Sequence, residues 1–137
     1  MRFEGVIEGL AELAGAEIRR YRGRQSGGEL DLMTFDGPAR AIRCAAAILG
    51  HAKSLGCTAS AALHTGECLL TSQGQAKGPA VAFAKVILVH GKGENRLLCS
   101  RVLHDLVAGS GIEFSPSPLG EISFSGEGWP IYGVVRV

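Results

Sequence analysis

The stretch TFDGPARAIRCA, at residues 34–45, determines how the rest of this chain is interpreted. It is typical of a strand end, a tight corner and a helix start. Asp36 is expected to cap that helix, and Pro38 to lie in its first turn, where the missing N–H does no harm. A second phrase, LHTGEC at residues 63–68, indicates a strand that runs into a turn at Gly66. The helix joins the two phrases into a strand, helix, strand, turn and strand.

Length and composition indicate a single folded domain. The 137 residues are 46% hydrophobic and 20% charged, which favours a globular chain with its own core. The net charge of +1 argues against nucleic acid or an anionic membrane surface as a partner. No apolar run is long enough to span a bilayer and no signal sequence opens the chain, so we expect a cytoplasmic protein. The four cysteines have no zinc-like spacing and are expected to be reduced and mostly buried.

Hydrophobic periodicity predicts the remaining elements. The helix that begins near Pro38 is expected to end at Gly56, and Ser100 is expected to cap a later helix. Further helices are predicted at residues 6–21, 81–90 and 101–108, and strands at residues 30–35, 58–63, 67–71, 97–99, 112–114, 122–124 and 131–137. The order of these helices and strands along the chain predicts an α+β sandwich with helices packed on a largely antiparallel sheet.

The segment from Val81 to His90 is predicted to form a helix that is apolar nearly all round. Lys85 is its only charged residue. Such a helix lies either deep in a core or beneath a second subunit. The segment is therefore the main candidate for a packing or dimerisation surface.

Several phrases together resemble the class III adenylyl/guanylyl cyclase catalytic domain, the cyclase homology domain. They are RYRGR at 20–24, the phrases at 34–45 and 63–67, GPAV at 78–81, LLCS at 97–100, DLVAGSG at 105–111 and WPIYGV at 129–134. The resemblance implies one ferredoxin-like, cyclase-type domain over residues 1–137 that lacks the family's usual first strand. It also implies head-to-tail dimers with active sites at the interface.

The resemblance implies a metal site from which this chain departs. Active members use two aspartates to bind the cations that neutralise charge on the attacking and leaving oxygens. The first aspartate follows the missing strand. The second matches Glu29, in a shortened turn that reads GELD at residues 28–31. Glu29 is therefore the single candidate metal ligand, at a degenerate position.

The family's transition-state pair also has no counterpart here. Active members place an asparagine and an arginine four residues apart, on one helix face, where both reach one substrate. Those positions match Ala82 and Val86. Lys85 is adjacent in sequence, but about 100° of helical rotation turns it away. We therefore expect no catalytic residue and no resident cofactor, with Mg²⁺ or Mn²⁺ and ATP or GTP involved only if the domain is active.

Other ionisable residues have simple structural explanations, although functional roles stay open for some. His64 and Glu67 are expected to be structural residues beside the turn, with a metal, acid–base or carboxylate role as the alternative. Asp36 is better explained as a cap than as a metal ligand. The basic residues that could bind phosphate are expected to be solvated: Arg19, Arg20, Arg22, Arg24, Lys77, Lys85, Lys92 and Arg96.

The resemblance leaves three functions open. The first is an inactive regulatory or dimerisation module of a signalling protein, which associates with itself or with another chain through the helix from Val81 to His90. The second is a nucleotide-binding sensor without turnover. The third is an adenylyl or guanylyl cyclase that is active only with a complementary partner chain.

Overall fold

The computed structural model describes residues 2–4, 8–26, 32–90 and 95–137. The elements in these ranges are, in chain order, β1 (Arg2–Glu4), α1 (Glu8–Arg20), β2 (Arg24–Gln25), β3 (Met33–Thr34), α2 (Pro38–Ser54), β4 (Thr58–Leu63), β5 (Leu69–Leu70), β6 (Ala76–Lys77), α3 (Pro79–His90), β7 (Leu97–Ser100), α4 (Arg101–Leu106), β8 (Glu113–Phe114), β9 (Gly120–Phe124) and β10 (Glu127–Arg136). None of the described helices is long and apolar enough to cross a bilayer.

A six-stranded sheet forms the centre of the domain. Its strand order is β1–β4–β7–β10–β8, with β9 paired to β10. All neighbours are antiparallel except β4 and β7, which run parallel. The predicted α+β sandwich with a largely antiparallel sheet is therefore confirmed. Strand β1, which the sequence did not predict, lies at the sheet edge and pairs with residues 58–60 of β4.

Helices α2 and α3 cover opposite faces of this sheet. On one face, Ile42 of α2 packs in a cluster with Cys99. On the other, Ile87 of α3 packs in a cluster with Leu98. Leu98 and Cys99 are consecutive residues of β7, and consecutive strand residues point to opposite faces. The sheet is therefore the middle layer between two helices.

The start of α2 corrects one prediction. Pro38 is the first helical residue, as expected, but the N-cap is Gly37 and no side chain caps this end. Asp36 does not cap the helix, because it lies one residue before the N-cap position. At the other end Gly56 has a φ of +75°, which glycine adopts without strain, and it ends the helix as predicted.

The segment after β4 corrects a second prediction. Residues 67–71 were expected to return beside β4. Instead, β5 pairs with β6 in a separate two-stranded sheet. The Thr71 hydroxyl accepts hydrogen bonds from the backbone N–H groups of Gln73 and Gln75, at 3.3 and 3.1 Å, which closes this local hairpin. Local turn chemistry therefore favours this hairpin over a return beside β4.

The remaining predictions agree more closely with the structure. The hydroxyl of Ser100 accepts a hydrogen bond from the N–H of Leu103 and caps α4, as predicted. All four cysteines are free thiols, and only Cys68 is exposed.

Candidate functional site

A cavity of about 220 Å³ lies at the open edge of the central sheet. Strand β3 and the corner before α2 form one side of it, and the end of β4 forms the other. Helices α2 and α3 close it from the two faces of the sheet. Most lining residues are apolar, and alanines contribute from both helices, among them Ala45 and Ala84. Small side chains from both helices therefore contribute to the open space between them.

His64 follows β4 directly and is held on two sides. Its Nδ1 lies 2.7 Å from the Ser100 Oγ, in a hydrogen bond whose direction depends on the ring tautomer. Its ring stacks on Phe83, with centroids 4.2 Å apart. Burial lowers the pKa of His64, so the ring is neutral at pH 7. A neutral imidazole tied to the cap of α4 fits the predicted structural role.

His64 also borders the cavity through the turn that follows it. A Cβ placed on Gly66 would lie 3.1 Å from the Cβ of Ala80 and 3.6 Å from His64 Nε2. The absence of a side chain at Gly66 therefore allows the turn to pack against α3, with His64 Nε2 beside it. A side chain at this position would make a tighter than ordinary contact with Ala80, which a shift of a few tenths of an ångström in the turn or in α3 would relieve.

Two charged residues that were assigned separate structural roles meet at the same cavity. Asp36 and Lys85 both line it, and both are exposed. They give the rim one negative and one positive charge, so it does not favour a strongly charged ligand of either sign. Glu67, by contrast, is exposed outside this lining.

The two residues that the resemblance matches to the family's transition-state pair lie elsewhere on α3. Ala82 is exposed, and Val86 is partly buried against the cluster formed by Phe83 and Ile87. Neither lines the cavity that Lys85 borders, in keeping with the rotation expected along a helix. Phe83 and Ile87 are the buried residues of α3, so this helix does not lie deep in the core.

The predicted metal ligand is not located by the structure. Glu29 and its neighbours at residues 27–31 lie outside the described residues, as does Lys92. Within the described ranges, no three His, Cys, Asp or Glu side chains come together in a way that could hold a metal ion.

The other basic residues considered as phosphate-binding candidates are exposed, as expected: Arg19, Arg20, Arg22, Arg24, Lys77, Lys85 and Arg96.

Two of the buried cysteines, Cys44 and Cys99, are not poised for nucleophilic chemistry. Burial, together with the nearby Glu17 carboxylate, raises the pKa of Cys44 to about 11. Burial raises the pKa of Cys99 to about 12. Both therefore remain thiols at neutral pH, and the thiolate is the reactive form.

Comparisons with known proteins identify the fold through structure alone. No known family matches the sequence, and no curated protein matches it. Among solved structures, the adenylate/guanylate cyclase/hydrolase from Silicibacter pomeroyi superposes with a TM-score of 0.72 at 18% identity, covering 92% of this chain and 80% of that one. The chain has a cyclase-type fold.

Two further cyclase structures support the same assignment. The adenylyl cyclase CyaB from P. aeruginosa gives a TM-score of 0.67 at 18% identity, over 98% of this chain and 86% of that one. Adenylate cyclases from Trypanosoma brucei, solved in their monomeric state, give a TM-score of 0.69 at 11% identity. The match covers 94% of this chain and 77% of that one. At such identities the likeness shows the fold, and the resemblance noted in the sequence is confirmed at that level.

Sequence reasoning did not find the cavity. Its walls come from β3, β4, α2 and α3, which are distant from one another in the sequence. Contact between distant segments leaves no pattern in the local sequence. The one available signal was the number of small residues at the end of β4 and on α3.

Proposed function

We propose that this cyclase-fold domain has no cyclase activity and serves as an association module, with a second copy of the chain as its partner. The observation that carries the proposal is the chemistry of α3. The positions that match the family's transition-state pair, Ala82 and Val86, hold two apolar side chains. On the same helix the residue three positions after Val86 is Val89, whose side chain is 65% exposed.

Loss of the pair removes the groups that stabilise charge on the reacting phosphates. Removing one such contact from a transition state typically costs about 10²–10³-fold in rate. Neither Ala82 nor Val86 has a donor or a charge that could substitute. Lys85 does not replace the arginine, because it lies on the part of α3 that borders the cavity.

The same substitutions make the outer side of α3 suitable for contact with another protein surface. Ala82 and Val89 are exposed and Val86 is partly buried; the three follow one another at spacings of four and three residues, which places them along one side of the helix with Val86 at its inner border. A second copy is the partner that the resemblance favours, because cyclases of this class work as dimers. The net charge of +1 leaves little repulsion between two copies.

Absence of turnover is tested by incubating the protein with ATP or GTP and Mn²⁺ and measuring cyclic nucleotide. We expect no product above the buffer control at any protein concentration. Turnover that rises with protein concentration and is abolished by Glu29→Ala would contradict the proposal. It would instead favour a cyclase that completes its site from a partner chain.

A sensor role is tested by calorimetric titration with ATP, GTP and their cyclic products. The cavity, at about 220 Å³, is smaller than the roughly 300–1,000 Å³ of pockets that enclose drug-sized ligands. We therefore expect no saturable heat of binding. Micromolar binding of any of these nucleotides would favour the sensor over the association module.

A further inference from the structure

The hairpin formed by β9 and β10 lies alongside α3. At one end of β9, a Cβ placed on Gly120 would lie 3.0 Å from the ring Nε2 of His90, the last residue of α3. At the other end, Phe83 of α3 meets the rings of Phe124 and Trp129 edge-on, with centroids 5.0 and 5.5 Å apart. The helix and the hairpin therefore form one continuous surface.

The face of this hairpin that is turned towards α3 is apolar and only partly covered. Ile122 is opposite Trp129 in the ladder of β9 and β10. Phe124, two residues after Ile122, points to the same face as both. Ile122 is buried, whereas Phe124 and Trp129 remain partly exposed. Val86 packs against the same cluster, so a partly exposed aromatic pair borders the outer side of α3.

The exposed residues of α3 are too small to hold two copies together on their own. In the proposed dimer this helix contributes Ala82, Val89 and the border of Val86. A standard interface buries roughly 800 Å² on each partner, far more than these side chains expose. The interface must therefore extend beyond α3. Towards the cavity it would meet the exposed charges of Asp36 and Lys85, whereas towards the hairpin it meets aromatic rings.

We propose that the face of the β9–β10 hairpin beside α3 completes the dimer interface, with Trp129 as its central anchor. This proposal rests on the proposed association of two copies through α3. An interface between two identical chains related by a two-fold axis uses the same patch on both, so one interface covers Trp129 of each copy.

The indole ring of Trp129 is suited to an anchor because it is already held in place. Its Nε1–H donates a hydrogen bond to the carbonyl of Phe124 at 3.2 Å. Little side-chain freedom is therefore lost when a partner covers the ring. Tryptophan is also enriched among the few residues that dominate the energy of protein interfaces.

The surface is confined to the part of the hairpin near its turn. Val135 points to the same face of β10 as Trp129 but lies six residues further along, about 20 Å away, and so stays outside the interface. Phe83, beside the aromatic pair, lies seven residues, or about 10 Å, before His90 on α3. Strand β1 lies at the opposite edge of the sheet from β9. The patch is therefore distant from β1 and from the end of α3.

The test uses the fluorescence of Trp129, which is the only tryptophan of the chain. Sedimentation equilibrium first establishes the concentrations at which the wild type is monomeric and dimeric. Acrylamide quenching of the fluorescence is then measured at both. The Stern–Volmer constant should fall at least about twofold in the dimer, because the centre of an interface excludes water and solutes.

A pair of alanine variants separates the two faces of the hairpin. Trp129→Ala should weaken dimerisation at least about tenfold, as expected for truncation of a central aromatic anchor. Glu121→Ala should leave dimerisation unchanged, because Glu121 is exposed and precedes Ile122, so it points to the opposite face. Thermal unfolding shows whether both variants fold. If Trp129→Ala does not fold, quenching of the wild type still decides the question.

Two outcomes would overturn the proposal while association through α3 stands. The first is a wild-type dimer whose tryptophan is quenched as readily as that of the monomer. The second is a folded Trp129→Ala variant that dimerises like the wild type. A wild type that is monomeric at every concentration would instead contradict the association itself, and this proposal with it.

Discussion

Helices α2 and α3 flank the same sheet, but their outer sides differ. α2 buries five residues, among them Ile42 and Ile48, and α1 packs against it from outside. α3 buries Phe83 and Ile87, and its outer side exposes Ala82 and Val89. The difference teaches that hydrophobic composition alone does not place a helix in the core. α2 is amphipathic and covered by its own chain, whereas α3 is apolar nearly all round and covered on one side.

The largest expected effect concerns stability on the α2 side. Ile48→Ala should lower the free energy of unfolding by about 2–5 kcal/mol, because the side chain is fully buried between α1 and α2 and its removal leaves a cavity. Val89→Ala on α3 should change it by less than about 0.5 kcal/mol. Urea unfolding of both variants provides the measurement. Equal losses would show that α3 is as well buried as α2 and would break the comparison.

An intermediate effect is expected at the cap of α4. Ser100→Ala removes the acceptor for the N–H of Leu103 and the partner of His64 Nδ1. The free energy of unfolding should fall by about 0.5–2 kcal/mol, as for other N-cap residues replaced by alanine. Ser100→Thr retains the hydroxyl and serves as the control in the same urea measurement. Unchanged stability in Ser100→Ala would show that the cap and the histidine contact are not needed.

A smaller effect on the stability of the fold is expected when the pH is lowered. The pKa of His64 is lowered in the folded state by burial, so the unfolded state binds the proton more readily. Stability should therefore be retained above the ordinary histidine value of about 6.5 and decline as the pH falls below it. The urea midpoint, measured from pH 7.5 to 5, should fall more steeply in the wild type than in His64→Gln. Identical slopes would show that other groups cause the decline.

Much of this fold could be predicted from the sequence because the information is local. Pro38 at the start of α2, Gly56 at its end and Ser100 before α4 each mark a boundary through their own backbone chemistry. The apolar periodicity of α1 and α2 likewise depends on neighbouring residues only. The family resemblance added the arrangement of these elements, which the structural comparisons support at the level of the fold.

The features that could not be predicted depend on pairing between distant segments. The sequence did not show that β5 would pair with β6 instead of β4, or that β1 would cover half of an edge. It also assigned Asp36, His64 and Lys85 to unrelated structural roles, although the fold brings them to one cavity. The outer side of α3 is a similar case, since apolar residues alone do not distinguish a core helix from an interface helix.

The most direct test of the account is the effect of a charge on the outer side of α3. Val89→Glu and Val135→Glu introduce the same change at positions that are 65% and 66% exposed, on α3 and on β10. Sedimentation equilibrium of both variants and the wild type, over a range of concentrations, should show a dimer for the wild type and Val135→Glu and a shift to monomer for Val89→Glu. A wild type that is monomeric throughout, or a Val89→Glu variant that associates like the wild type, would contradict the account.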